Sequence, residues 1–282
     1  NKKGNALLFK GWPAPEACFY DTHVKSGQLG CHPDAAFRQI AQQFIPKFGG
    51  LIPDKQAEIA AVENAMNGLE AGDILDVDCS PRTQYFCGMD VKHVTLKSNS
   101  KNSFDRPHIL AAKWHDQKKP VAVNEVKLVK RLLGGKNRDT ATTAAMLLPQ
   151  AKQLQDLLSQ QQTILLFDSS ILLIVGTNTK TKELEARVKL IDFGRENHVH
   201  RDRFPKAVPS DVESNSHRCA YACGALELVK RLENFAQGGD GGTSECLAPC
   251  QGKLWSKKDK RGPSLKPGDC QPIIDIARYK VS

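Results

Sequence analysis

Little of this 282-residue chain is aromatic: Phe, Tyr and Trp together make up 6% of it. Proteins that grip single-stranded nucleic acid stack bases on aromatic platforms, so this scarcity argues against that class. No apolar run approaches the ~18 residues of a membrane-spanning helix, and no charged-then-apolar leader opens the sequence. Cysteine is present but unorganised. The nine, at 18, 31, 79, 87, 219, 223, 246, 250 and 270, are odd in number and form no dense disulfide framework. Cys219/Cys223 and Cys246/Cys250 are each separated by three residues, one more than a zinc knuckle uses, although His217 is close by. Buried or free thiols in a reducing compartment, cytoplasmic or nuclear, are the expectation. No internal repeat is visible.

What the chain does have is an ordinary apolar content, 40%, and a length that can hold one large or two modest cores. It is also basic. Forty Lys plus Arg against 31 Asp plus Glu give a net charge of +9. That balance points to an anionic partner: nucleic acid, an acidic membrane surface or a polyphosphorylated small molecule.

The most informative stretch runs from Ser169 to Gly194. Ser169-Ser170-Ile171-Leu172-Leu173-Ile174-Val175 is too short and too branched for a helix and reads as a buried strand. Ala186-Arg187-Val188-Lys189-Leu190-Ile191 alternates as a second strand, and the polar run 176–182 between them reads as a reversal. The hairpin ends in Ile191-Asp192-Phe193-Gly194, which places one carboxylate at its mouth. Such an Asp is either a turn residue or a ligand for a phosphate-bound Mg2+.

Elsewhere, residues 4–10 read as a strand ending in Lys10, followed by Pro13, Pro15 and a helix start at Glu16. A short strand is expected over 44–51, and residues 55–70 have helical propensity. Ile74-Leu75-Asp76-Val77-Asp78 reads as a strand with its two acids on one side, and 85–96 as another. Val123, Val126, Val129, Leu132 and Leu133 recur at helical spacing before Gly134-Gly135. Pro149 begins or interrupts a helix over 150–162, and a last helix spans about 220–235 before the glycine-rich run 238–242. The tail beyond 243 shows no periodicity.

In order and spacing these pieces resemble the inositol polyphosphate kinase family, its multikinase branch most closely. The strand Ser169-Ser170-Ile171-Leu172 and the hairpin end Ile191-Asp192-Phe193 are similar to the family's Ser-Ser-Leu-Leu and Ile-Asp-Phe. Phe9-Lys10, Glu16 and Phe19-Tyr20 match its opening strand and helix, Ile45-Pro46-Lys47-Phe48-Gly49 its Pro-Lys-Tyr-Tyr-Gly strand. Residues 62–69 match its hinge, and Tyr221-Ala222-Cys223-Gly224 its closing helix. The signature Pro-x-x-x-Asp-x-Lys-x-Gly falls on residues 72–80, where Asp76 is kept but Asp78 and Ser80 stand in place of Lys and Gly. Met89-Asp90-Val91-Lys92 offers a rival register, which spacing from Glu63 disfavours.

The resemblance implies an α/β (α+β), two-lobed fold distantly like a protein kinase. Its N-terminal lobe would span 1–62, a hinge 63–68, a C-terminal lobe 69–236 and a tail of unknown role 237–282. It implies ATP and Mg2+ as cofactors and an inositol polyphosphate as substrate, and it sets nucleic acid aside. Lys10 would meet the phosphates, Glu63 the adenine, Asp76 the ribose and substrate side, and Asp192 the metal. Ser170 would line the nucleotide strand, while Arg82, Lys92 and Arg195 would face the phosphorylated substrate. The alternative is a regulator of the same fold that binds nucleotide or inositol phosphate without turnover, motivated by Asp78 and Ser80.

Overall fold

The computed structural model describes residues 6–11, 19–25, 29–30, 32, 34–53, 58–78, 90–95, 122–135, 138–161, 169–193 and 225–242. These residues form a mixed helix and sheet fold with two antiparallel sheets. The smaller has β1 (Leu7–Gly11), β2 (Phe48–Pro53) and β3 (Glu58–Glu63) in the order β1-β3-β2. The larger has β4 (Leu69–Asp78), β5 (Asp90–Thr95), β6 (Ser170–Asn178) and β7 (Leu184–Ile191) in the order β5-β4-β6-β7. Helices α1 (Ala35–Gln43), α2 (Ala122–Gly134), α3 (Thr140–Gln160) and α4 (225–236) accompany them, with a π-helical turn at Tyr20–Val24.

Helical propensity over 55–70 is overridden. Residues 58–63 are instead the central strand of the small sheet, pairing with β1 on one side and β2 on the other. Ala60 and Ala61 are buried there, and the small side chain of Ala61 lets Gly49 of β2 approach closely. Cross-strand pairing and burial decide the conformation where local propensity is weak. The expected strand over 44–51 begins later, at Phe48, because Phe44 and Ile45 close α1 and enter the core.

Helix α1 had no counterpart in the sequence reading, although Asp34 caps it by accepting a hydrogen bond from the Phe37 N–H at 2.9 Å. Pro149 does not start a helix but sits inside the 21-residue α3. The carbonyl it strands belongs to Ala145, and both residues lie on the exposed side, where water can satisfy that oxygen. The hairpin reversal is shorter than expected, because β6 continues through Asn178. The Asn178 side chain then accepts from the N–H groups of Lys180 and Thr181, and Lys182 takes a left-handed φ of 62°.

One main core joins α1, α2, α3 and α4 to one face of the large sheet, through Leu75, Val77, Ile171, Leu173, Val175, Ala186, Val188 and Leu190. β7 is an edge strand, and its free edge is covered. Gln150 of α3 donates to the Ala186 carbonyl (2.9 Å) and accepts from the Val188 N–H (3.1 Å), while Leu190 N–H donates to the Phe44 carbonyl (2.8 Å). These contacts satisfy backbone groups that would otherwise invite another strand. Asp73 of β4, fully buried, is paired with Arg138 between α2 and α3, which ties the sheet to the helix layer.

Candidate active site

Residues on β7 alternate between two environments, with Ala186, Val188 and Leu190 buried and Glu185, Arg187, Lys189 and Ile191 only partly so. The register with β6 sets Arg187 across from Ile174 and Lys189 across from Leu172, and β4 sets Asp76 across from the same Leu172. Cross-strand partners share a face. The face away from the helices therefore carries Asp76, Leu172, Ile174, Arg187 and Lys189. A small apolar cluster covers part of it: Leu69, Leu172 and Ile174, with Ala65, Met66, Ile74 and Ile191 packed around them.

Ala65 and Met66 belong to the turn 64–68 that links β3 of the small sheet to β4 of the large one. The turn is closed by Asn67 N–H to the Asn64 carbonyl (2.8 Å) and Leu69 N–H to the Met66 carbonyl (3.0 Å), with Gly68 at a left-handed φ of 78°. Glycine takes that conformation without a Cβ penalty. Arg187 holds the turn from below, donating to the carbonyls of Ala65 (2.9 Å) and Asn67 (2.8 Å). Its own place is fixed by Glu185 (2.6 Å), which in turn accepts from Asn178 (2.6 Å). The Arg187 hydrogen bond, with help from Asn178, holds the Glu185 carboxyl below its ordinary value despite partial burial.

Two residues along, Lys189 donates to the Gln43 carbonyl at the end of α1 (3.2 Å). Burial pushes its ammonium pKa down, an effect that nearby Glu63 opposes and the positive charges of Arg187 and Lys47 reinforce. Glu63 itself accepts from the Lys47 N–H at 3.1 Å. One face of β7 thus fastens the turn, α1 and the end of β3.

At the end of β7, Asp192 adopts a left-handed backbone with φ 63°. Few non-glycine residues do so, and Asp tolerates it better than most. Phe193 explains how the conformation persists. It is fully buried, stacked on Phe19 with centroids 4.1 Å apart, and meets Tyr20 edge-on at 5.7 Å. Tyr20 also touches Phe48 of the small sheet, and Phe19 touches Phe37 of α1. Among the described residues, Phe19, Tyr20, Phe37, Phe48 and Phe193 form this aromatic cluster, which anchors the residue beside Asp192. The Asp192 carboxylate remains partly exposed. Mg2+ asks for only one or two protein carboxylates beside phosphate oxygens and water, a demand that Asp192 fits. Among the described residues, no three His, Cys, Asp or Glu converge to enclose a metal by themselves.

The structure places the other expected site residues as follows. Ser169 and Ser170 are buried at the start of β6, and Ser170 lies across from Ile191, in the last row of the sheet before Asp192. In backbone register, Asp78 and Asp90 extend that same row on β4 and β5, with Asp76 two residues further in. Lys10 lies on β1 across from Ala60, and Lys92 on β5. Arg82, Arg195 and Glu16 lie outside the described residues, as do all nine cysteines. Arg187, Lys189 and Phe193 were not singled out by sequence. The signal available was two cations at alternate positions of a strand whose partner is apolar from Ile171 to Val175.

This mixed arrangement of helices and two antiparallel sheets matches the fold of a solved inositol phosphate kinase. The inositol phosphate multikinase Ipk2 of S. cerevisiae, solved in complex with ADP and Mn2+, superposes with a TM-score of 0.53 at 14% identity. The match covers 82% of this chain and 99% of that one. Among curated proteins, none matches the sequence. The family model described as inositol polyphosphate kinase matches residues 86–219, a stretch that includes Asp90, Lys92, Ser170 and Asp192 and begins after Asp76. Fold and family model point the same way: residues 86–219 match the inositol polyphosphate kinase family, and the chain shares the fold of a member of it.

Proposed function

We propose that this protein is an ATP-dependent kinase that moves the γ-phosphate of ATP to a hydroxyl of an inositol polyphosphate, in the manner of the multikinases. The observation that carries the reading is Asp192, held in a left-handed backbone at the end of the hairpin beside the buried Phe193. The fold it shares with a kinase that binds ADP and Mn2+ adds support. Asp192 would hold the divalent ion, Mg2+ in the cell. A metal so held neutralises charge on the β- and γ-phosphates.

The remaining work falls to the chain. Lys10 meets the phosphates, and Glu63 with the turn 64–68 acts as the hinge between lobes, receiving adenine beside the partly exposed Ile191. Asp76 orients the ribose and the attacking hydroxyl, and Ser170 lines the strand beneath. Arg82, Lys92 and Arg195 supply the cationic side that a polyphosphorylated ring requires. The bond from the γ-phosphorus to ADP breaks as the bond to the inositol oxygen forms, and the hydroxyl proton leaves toward Asp76.

The test is a phosphotransfer assay with ATP, Mg2+ and inositol trisphosphate, read by product formation. Product that disappears in Asp192→Asn supports the kinase. A second reading follows from Asp78 and Ser80, which put an anion where the family's signature carries a phosphate-binding lysine. On that reading the protein binds nucleotide or inositol phosphate as a regulator, and the same assay gives ATP binding with no phosphorylated product.

A further inference from the structure

The reach of Arg187 is an expensive arrangement for a strand residue. Its side chain is half-buried, spans from β7 to two carbonyls of the linking turn, and is held there by a Glu185–Asn178 relay. One nitrogen, Nη1, donates to both carbonyls while Nε donates to Glu185, so the planar guanidinium ties the turn to the β7 carboxylate in a fixed direction. The other carbonyls of the turn are also engaged: Asn64 by Asn67 N–H, Met66 by Leu69 N–H, and Gly68 by Thr179 N–H at 2.8 Å. Every carbonyl from 64 to 68 thus has a donor, and Arg187 alone supplies two of them from another element. Neither the main core nor the Asp192 anchor requires this. The turn's shape does.

Resting on the nucleotide reading given above, we propose that Arg187 is a positioning residue for the purine base: it presets the turn 64–68 so that the backbone edge and Glu63 meet adenine without rearrangement. Glu185 and Asn178 support it from one step further out. Their effect should fall on the adenosine part of a ligand and spare the phosphates, which belong to the opposite end of the site. Preorganisation of this kind acts on affinity by removing the ordering cost of the loop.

The experiment titrates the full chain with Mn2+-ADP and, separately, with Mn2+-tripolyphosphate, which has no base. Wild type is compared with Arg187→Met, Arg187→Lys and Glu185→Gln, with thermal unfolding recorded for each. Arg187→Met is expected to weaken Mn2+-ADP about tenfold and to narrow the preference for ADP over GDP, with tripolyphosphate unchanged. Arg187→Lys, whose single nitrogen cannot reach the carbonyls and stay anchored by Glu185 as the guanidinium does through Nε, should fall between, and Glu185→Gln should lose about threefold. Equal losses on both ligands, or no loss on either, overturn the assignment of Arg187. Wild type that binds tripolyphosphate as tightly as ADP overturns instead the reading of the turn as a nucleotide hinge.

Discussion

Ala186, Val188 and Leu190 share β7 with Arg187, Lys189 and Ile191, and the two sets meet opposite fates. The first set buries against the helices, where each side chain contributes its apolar area and little else. The second set turns to the turn 64–68, the end of α1 and the Asp192 row, and includes two cations that must be partly desolvated. Burying a cation costs free energy unless hydrogen bonds and opposite charge offset it. A fold selected for stability alone would fill these positions with apolar residues, as it has on the other face. What the contrast teaches is that one side of the sheet supplies the stability that lets the other side hold polar groups in fixed directions.

The contrast can be broken most sharply at Asp192. Asp192→Asn should lower phosphotransfer by about a hundredfold or more, while the unfolding midpoint stays close to wild type, because Asn tolerates a positive φ as well as Asp does. A large stability loss instead would make Asp192 a structural residue. Next in size is Leu173→Ala on the helix-facing side, expected to cost about 2–5 kcal/mol in chemical denaturation. Ile191→Ala on the other face should cost less than half as much and weaken ADP binding. Equal losses from the two would erase the distinction between faces.

A smaller effect concerns pH. Glu185 has a folded pKa below its ordinary 4.5, chiefly through Arg187. Its contribution to stability is therefore fully present above that value and is lost as pH falls through the lower folded pKa. Wild type should lose stability more steeply than Arg187→Met over that acid window, measured by denaturation at stepped pH. Smallest of all, Lys182→Ala removes an exposed pair with Glu70 and should change stability by less than about 0.5 kcal/mol.

The large sheet was legible in the sequence because β6 is a continuous branched run and β7 alternates, so period and composition agree. Helix α2 was legible for the same reason, its apolar spacing ending at Gly134-Gly135. β3 was not, since Ala60 and Ala61 at its centre carry no strand signal of their own and owe their conformation to neighbours on both sides. Pro149 misled because a proline within a helix is judged by its local cost, whereas α3 places it where the stranded carbonyl meets water. Of the candidate site, the place of Asp192 at the end of the hairpin was legible. Arg187 escaped because its meaning lies in two carbonyls more than a hundred residues earlier, which no local pattern reveals.

A crystal structure of the protein with ADP and Mn2+ tests the central claim most directly. The account predicts an anomalous Mn2+ peak bonded to a carboxylate oxygen of Asp192 and adenine against the turn 64–68. Nucleotide and metal bound together at a position remote from Asp192 would contradict it.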